Sequence, residues 1–398
     1  MKYILLVPDG MADEPVDELN GLTPLEAART PYMDGLAREG LCALVKTIPD
    51  GFPPGSDIGN LSLMGYDPAK NFSGRAPLEA ANMGIILGKD EIAFRCNLIT
   101  LAENRMKDYS AGHITSEEAA VIIGELNKRL ADNRLKFYPG KSYRHLMVIK
   151  TDRVHDFFKT KTTPPHDILD ATIEEYLPVG EDGKFLNAIM ATAHQVLKDH
   201  PVNTVRKKRQ ELPATDIWLW GQGHKPDLPA FSDKFGLTGS MISAVDLVNG
   251  IGRLAGLDVI TVPGATGYYD TDYAAKARYG LESLKEKDFV YIHVESPDEA
   301  GHNGDFKEKV KAIEAIDRDI VGAIVGWTRS HPDYRILISP DHPTPVKKRT
   351  HTRAPVCFLM AGKGIAANQR ATFSEKTAAI TGIKFESGAQ MVSHFLKA

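Results

Sequence analysis

Three cysteines occur in 398 residues, Cys42, Cys96 and Cys357, odd in number and with no CxxC pair. Their isolation excludes a disulfide scaffold and a thiolate zinc site, and it favours a reducing cytoplasm. Long apolar runs are also missing; nothing approaches the ~20 residues of a membrane-spanning helix. The N-terminal run Ile4-Leu5-Leu6-Val7 is cut short by Asp9 and Gly10. That is too short for a secretory signal, and the run reads as a buried strand. Nor does charge of one sign dominate: 48 Lys and Arg stand against 52 Asp and Glu, net −4. A nucleic-acid binder usually shows a basic face or domain. The basic run Val205-Arg206-Lys207-Lys208-Arg209-Gln210 reads as a solvated linker or helix end. Internal repeats and low-complexity segments are absent. The expected protein is a monomer or small homo-oligomer with no membrane or nucleic-acid partner.

What is present is an ordinary globular composition, 42% hydrophobic and 25% charged. Single cores rarely grow past roughly 250–300 residues, so this length predicts two domains. Short apolar runs at 3–7, 41–47, 258–262, 288–294, 334–339 and 356–360 read as strands. A helix is expected to open at Thr30-Pro31, with Thr30 as N-cap. Segments 240–255, 271–285 and 307–328 have helical periodicity. The fold class predicted is α/β, a mainly parallel sheet covered by helices on both faces. The middle differs: strands at 91–101 and 145–150, helices at 116–131 and 184–199, and a turn-rich stretch at Thr162–Asp167. It reads as an α+β domain over 79–213, inserted into a discontinuous catalytic domain of 1–78 and 214–398.

Four polar clusters fall where strands should end: Pro8-Asp9-Gly10; Gly55-Ser56-Asp57-Ile58-Gly59-Asn60; Ser296-Pro297-Asp298-Glu299-Ala300-Gly301-His302; and Pro340-Asp341-His342, followed by Thr350-His351-Thr352. Open α/β sheets bind ligands beyond the carboxyl ends of their strands, so the alternation brings these loops to one edge. Alone, Asp9-Gly10 is a turn, Ser56 an N-cap, and Asp298 with His302 two residues on one helical turn. Together they supply carboxylates, imidazoles and one hydroxyl without thiolates. That set suits Mn²⁺, Zn²⁺ or Mg²⁺-like ions. It exceeds the needs of one tetrahedral ion and fits two, which can clamp both oxygens of an in-line phosphoryl displacement. Metal coordination would make Ser56 a competent nucleophile.

With these residues in view, the chain resembles the alkaline phosphatase superfamily, and within it the archaeal-type cofactor-independent phosphoglycerate mutases. The matching motifs are PDGMAD, TPYMDGLAREG, GSDIGNLSLMGYDP, PDEAGHNGD, PDH and THT. The resemblance covers essentially the whole chain. It implies an alkaline-phosphatase-like sheet domain with an inserted cap domain that binds substrate. It implies that Asp298, His302 and His351 hold one metal and that Asp9, Ser56, Asp341 and His342 hold the other. Ser56 would carry the phosphoryl group as phosphoserine. Mn²⁺ is the expected ion, with Mg²⁺, Co²⁺ or Zn²⁺ as alternatives.

The substrate expected is a small phosphorylated hydroxy acid. His113, in Tyr109-Ser110-Ala111-Gly112-His113, resembles the family's cap histidine, an acid/base or phosphate-holding group. Arg144, in Ser142-Tyr143-Arg144-His145, resembles an arginine that binds substrate anions, for which a planar guanidinium is suited. Arg75, Arg95 and Lys225 are further anion-binding candidates; a structural ion pair is the competing reading for all five. The Asp-Gly-Arg-Asp segment of the longer bacterial-type mutases is absent. The predicted reaction interconverts 3- and 2-phosphoglycerate. Its rivals are a metal-dependent phosphatase or phosphodiesterase, transfer to another small hydroxy acid such as homoserine, and a non-catalytic metal-stabilised binding protein. Homoserine's ammonium would need an extra carboxylate, and no spacing singles one out from Asp152, Asp156, Asp167 and Asp170.

Overall fold

Ile4, Leu5, Leu6 and Val7 are completely buried. They lie on the strand Lys2–Pro8, inside an eight-stranded sheet of the computed structural model, which describes residues 1–152 and 155–397. A strand apolar on successive residues must be covered on both faces. Its parallel neighbours are Phe289–Val294 and Tyr334–Ile338. The order across the sheet is Lys384–Phe385, Leu41–Val45, Val356–Gly362, Tyr334–Ile338, Lys2–Pro8, Phe289–Val294, Gly239–Ile242 and Asp258–Val259. Only Val356–Gly362 runs against both of its neighbours. On one face Ile4, Leu6, Val290, Ile292, Ile336 and Ile338 share a core with Met33, Leu36, Ile313, Ile316 and Ile320 from the covering helices. The alternate residues point the other way: Tyr3 meets Phe395 ring edge to face at 5.7 Å, and the Tyr291 hydroxyl donates to Asn60.

The chain forms two compact units, Met1–Phe72 with Asp227–Ala398, and Ser73–Pro226. The second is built on a five-stranded antiparallel sheet of Glu91–Ala102, Arg105–Asp108, Leu135–Tyr138, Arg144–Lys150 and Asp216–His224. Helices Ser116–Leu130 and Gly183–Lys198 bury Ile122, Ile123, Leu126, Leu186 and Ala193 in its core.

Several expectations need correction. The divisions fall at 72/73 and 226/227 rather than 78/79 and 213/214. The strand Asp216–His224 pairs with Glu91–Ala102, and Ala76 and Ala80 of helix Arg75–Asn82 pack on Ala93, Leu146 and Val148. Residues 240–255 are not one helix: Gly239–Ile242 is a strand, followed by helix Asp246–Leu254. Parallel pairing with Phe289–Ile292 claims the first part. The strand expected at 258–262 is only Asp258–Val259. Thr30 stands at the N-cap of Pro31–Glu39 without a side-chain capping bond; the Asp317 carboxylate accepts from the Tyr32 and Met33 amides instead, at 3.2 and 2.7 Å. The basic run is a helix end, as one of its two readings had it, but it is not merely solvated. Arg206, on helix Pro201–Lys208, is 2% exposed, pairs with Glu118 at 2.5 Å, and donates to the carbonyls of Ala111 and Leu212 at 2.8 and 2.9 Å. No helix among the described residues is long and apolar enough to cross a membrane.

One buried ion pair ties the segment after Lys2–Pro8 to the segment after Asp341. Lys309 Nζ lies 2.7 Å from Asp13 Oδ2 and 2.8 Å from the Thr344 carbonyl, and the Val346 amide also donates to Asp13. Both side chains are wholly buried. Removing one partner strands the other charge, at a cost of about 3–5 kcal/mol. Asp13→Ala is therefore expected to lower the urea midpoint sharply, whereas Asp13→Leu combined with Lys309→Met costs less than Asp13→Ala alone. A single variant as stable as wild type would contradict this.

Candidate metal centre

Four segments of the sheet unit deliver chemically active residues to the same place: the end of the first strand, the start of helix Ser56–Leu63, helix Ser296–Asn303 and the loop after Tyr334–Ile338. Asp9 follows directly on the first strand, its amide bonded to the Val294 carbonyl at 2.9 Å. Gly10 comes next with φ +60, and its amide donates to Asp341 Oδ1 at 3.2 Å. A Cβ there would lie 2.5 Å from Asp298 Oδ1 and from Thr344 Oγ1. The Asp-Gly pair is thus both a left-handed turn and a close approach that only glycine permits. Ser56 is the first residue of helix Ser56–Leu63. A Cβ on Gly59 would sit 2.6 Å from the Asp341 carbonyl, so this helix too must lack a side chain where it meets the Asp341 loop.

Ser56 Oγ lies 3.3 Å from Asp9 Oδ2 and 3.2 Å from His342 Nε2. His342 Nε2 is in turn 3.4 Å from Asp9 Oδ1 and 3.4 Å from Asp341 Oδ2. On the other side, Asp298 receives His302 Nε2 at 3.2 Å and His351 Nε2 at 3.5 Å, and the two imidazole nitrogens are 2.9 Å apart. The His342 and His351 rings, centroids 4.1 Å apart, join the two halves. Asp9, Ser56, Asp298, His302, Asp341, His342 and His351 therefore converge within one unit.

Charge decides what this cluster can hold. Asp9, Asp298 and Asp341 are 5% exposed or less. Burial, then Asp341 and Asp298, drive the Asp9 carboxyl well above its ordinary range. Burial acts the same way on Asp298, but hydrogen bonds from His302 and His351 outweigh it and hold that carboxyl well below. His302 is raised to about 9 by its bond to Asp298, and burial lowers His342. Asp9 Oδ1 is buried with no hydrogen-bond partner among the described residues. Ligand atoms of Asp298, His342 and His351, and separately of Asp9, His293 and Asp341, lie within 4.8 Å of one another. An orphaned carboxylate oxygen amid acids and imidazoles fits divalent cations.

Four supporting residues are given no role by the sequence, although Asn60 lies in the second polar cluster. Asn60 donates to Asp341 Oδ2 at 2.7 Å and to the Ser56 carbonyl at 2.8 Å, and accepts from the Tyr291 hydroxyl at 2.6 Å. Thr344 donates to Asp298 Oδ1 and lies 3.2 Å from His342 Nδ1, so one hydroxyl touches both halves. The fourth, His293, has Nε2 3.1 Å from Asp9 Oδ2. Such partners orient metal ligands in other proteins.

The expected substrate residues all lie in the other unit. Arg95 is salt-bridged to Glu79 at 2.9 Å and stacked 4.1 Å over Trp220. Burial lowers its pKa, and Arg75 and Arg144 are close enough to lower it further. Arg144 is exposed at the start of its strand, 5.6 Å over Tyr143. His113 is exposed, with φ +51, and its ring meets Tyr143 at 6.3 Å. Lys225 is exposed one residue beyond Asp216–His224.

Comparisons with known proteins agree with one another. A family model described as 2,3-bisphosphoglycerate-independent phosphoglycerate mutase matches residues 37–203. A Methanosarcina acetivorans protein of that name is 52% identical over 361 residues, 90% of each chain. A Pyrococcus horikoshii protein structure is similar at TM-score 0.82 and 32% identity, over 99% of this chain and 96% of that one. The cofactor-independent phosphoglycerate mutase of Thermoplasma acidophilum gives 0.69 at 24% identity over 100% and 99%, a likeness of fold.

The His302–Asp298 pair sets a pH response. A histidine raised from 6.5 to about 9 stabilises the fold fully below pH 6.5, and that contribution is lost as pH rises through 9. Metal-free protein should therefore show a urea midpoint that falls across this window, and His302→Asn should flatten the fall. A wild-type midpoint that is level from pH 6.5 to 9 would refute the pairing.

Proposed function

The chain belongs to the 2,3-bisphosphoglycerate-independent phosphoglycerate mutase family, and from that membership we propose that it interconverts 3- and 2-phosphoglycerate through a phosphoserine at Ser56. The observation that carries this reading is the position of Ser56 Oγ, within 3.3 Å of both Asp9 and His342 at the start of a helix. A hydroxyl there is a nucleophile held among groups that favour a cation, and the helix N-terminus adds amides that suit a phosphate.

We assign one divalent cation to Asp298, His302 and His351, and a second to Asp9, Ser56, Asp341 and His342. Mn²⁺ suits these oxygen and imidazole donors, and Mg²⁺, Co²⁺ or Zn²⁺ are alternatives. Bound there, such ions would offset phosphoryl charge and lower the pKa of the Ser56 hydroxyl. Ser56 Oγ attacks phosphorus in line; the Oγ–P bond forms, the bond from phosphorus to O3 of glycerate breaks, and the proton given up by the Ser56 hydroxyl passes through an acid/base group, the role assigned below to His113, to O3. Glycerate reorients, its 2-hydroxyl attacks phosphoserine, the O2–P bond forms, the Oγ–P bond breaks, and the 2-hydroxyl proton returns by the same group to Ser56 Oγ. Positioning and charge supply most of the rate in such transfers. Asn60 and Thr344 keep Asp341 and Asp298 in place throughout.

Substrate recognition is assigned to the Ser73–Pro226 unit: His113 as acid/base or phosphate partner, Arg144 as carboxylate or phosphate partner, with Arg75, Arg95 and Lys225 adding positive charge. Arg144 is the best supported, since its guanidinium is exposed, whereas Arg95 is already engaged by Glu79 and Trp220. The free, buried Cys42, Cys96 and Cys357 suit a cytoplasmic site of action.

Purified protein with Mn²⁺ and 3-phosphoglycerate should form 2-phosphoglycerate without 2,3-bisphosphoglycerate, and Ser56→Ala should reduce turnover by at least about 10³-fold. A parallel reaction with ATP and homoserine should yield no phosphohomoserine; product there alone would replace the mutase reading with kinase-like transfer. Chelation should abolish activity and Mn²⁺ should restore it. An active preparation free of divalent metal would sink the cation assignment.

A further inference from the structure

The strand Phe289–Val294 brings His293 to the edge of the carboxylate cluster, two residues beyond Tyr291 and on the same face. Its side chain is completely buried. Nε2 lies 3.1 Å from Asp9 Oδ2, yet no hydrogen bond forms, so the carboxylate oxygen is off the direction in which the ring nitrogen can donate. Nε2 thus has no hydrogen-bond partner among the described residues, and neither does Asp9 Oδ1. Two orphaned polar atoms, both buried and on neighbouring side chains, are unusual in a folded interior.

The other side of the ring is anchored. Nδ1 lies 3.2 Å from Ser243 Oγ, which also accepts the Val245 amide at 3.0 Å. The backbone carbonyl of His293 accepts from the buried Lys276 ammonium at 2.9 Å. With Nδ1–H given to the serine oxygen, Nε2 presents a lone pair inward, the arrangement of a metal-ligating histidine oriented from behind. Ligand atoms of Asp9, His293 and Asp341 are mutually within 4.8 Å.

We propose that His293 Nε2 is a further ligand of the cation held by Asp9 and Asp341, oriented by Ser243. This rests on the two-cation reading above. It gives that cation two imidazoles, from His293 and His342, beside its oxygen donors. Magnesium takes oxygen donors and holds its waters, whereas transition-metal ions accept imidazole nitrogen, so His293 would be the residue that sets metal preference at the Ser56 side.

The test is calorimetric titration of metal-free wild type, His293→Asn and Ser243→Ala with Mn²⁺ and, separately, Mg²⁺. The inference expects two Mn²⁺ sites in wild type. In His293→Asn one of them weakens by about 100-fold while the other is unchanged, and the Mn²⁺-over-Mg²⁺ preference of the weakened site falls; Ser243→Ala weakens the same site by about 10-fold. X-ray absorption of zinc-loaded wild type gives a readout that needs no variant: four coordinated imidazoles, those of His293, His302, His342 and His351, shared between two ions. Two Mn²⁺ sites with unaltered affinities in His293→Asn, or only three coordinated imidazoles, would overturn the role of His293 and leave the two-cation reading standing. Wild type that binds no divalent ion would overturn both.

Discussion

Three buried carboxylates, Asp9, Asp298 and Asp341, repel one another inside the sheet unit, and the rest of the site is arranged around that repulsion. Like charges at this depth cannot all ionise without compensation. The raised Asp9 and the depressed Asp298 are two answers to the same problem, one without a cationic neighbour and one flanked by His302 and His351. Divalent cations bound there would answer it for all three. A hydroxyl that Asp9 and His342 both approach then lies where negative charge is wanted, which is the requirement for a phosphoryl acceptor.

The scaffold that holds these acids is close-packed backbone. Gly10 lies against Asp298 and Thr344, Gly59 against Asp341, and Gly301 against the Thr344 carbonyl, in each case at a distance a Cβ would not allow. Buried side chains then fix these acids from behind: Tyr291 through Asn60 to Asp341, Thr344 to Asp298, and Lys309 with Asp13 pinning the Thr344 carbonyl. The site is therefore part of the core, and substitutions in it are expected to affect stability as well as chemistry.

The convergence of these residues was legible in the sequence, because they sit in short contiguous loops at strand ends. Asp9 precedes a glycine, Ser56 opens a helix, Asp298 and His302 share one turn, and Asp341 and His342 are adjacent. Three of the four supporting residues sit inside regular elements. His293 and Tyr291 look like ordinary members of a buried strand, and Asn60 like one more polar residue on a helix; only pairing in space gives them roles. Gly239–Ile242 was hidden by helical periodicity that continued into it from the following helix. The unit boundary was misjudged because Arg75–Asn82 and Asp216–His224 are joined to the second sheet by contacts far apart in sequence. Arg206 looked like one charge in a solvated run, but its burial depends on Glu118, almost ninety residues away.

Anomalous diffraction from crystals of the Mn²⁺-loaded protein tests the central claim most directly, that the buried acids exist to bind two cations beside Ser56. The account predicts two peaks, one bounded by Asp298, His302 and His351 and the other by Asp9, Ser56, Asp341 and His342. A fully loaded crystal with no peak in reach of Asp9 and Ser56 would contradict it.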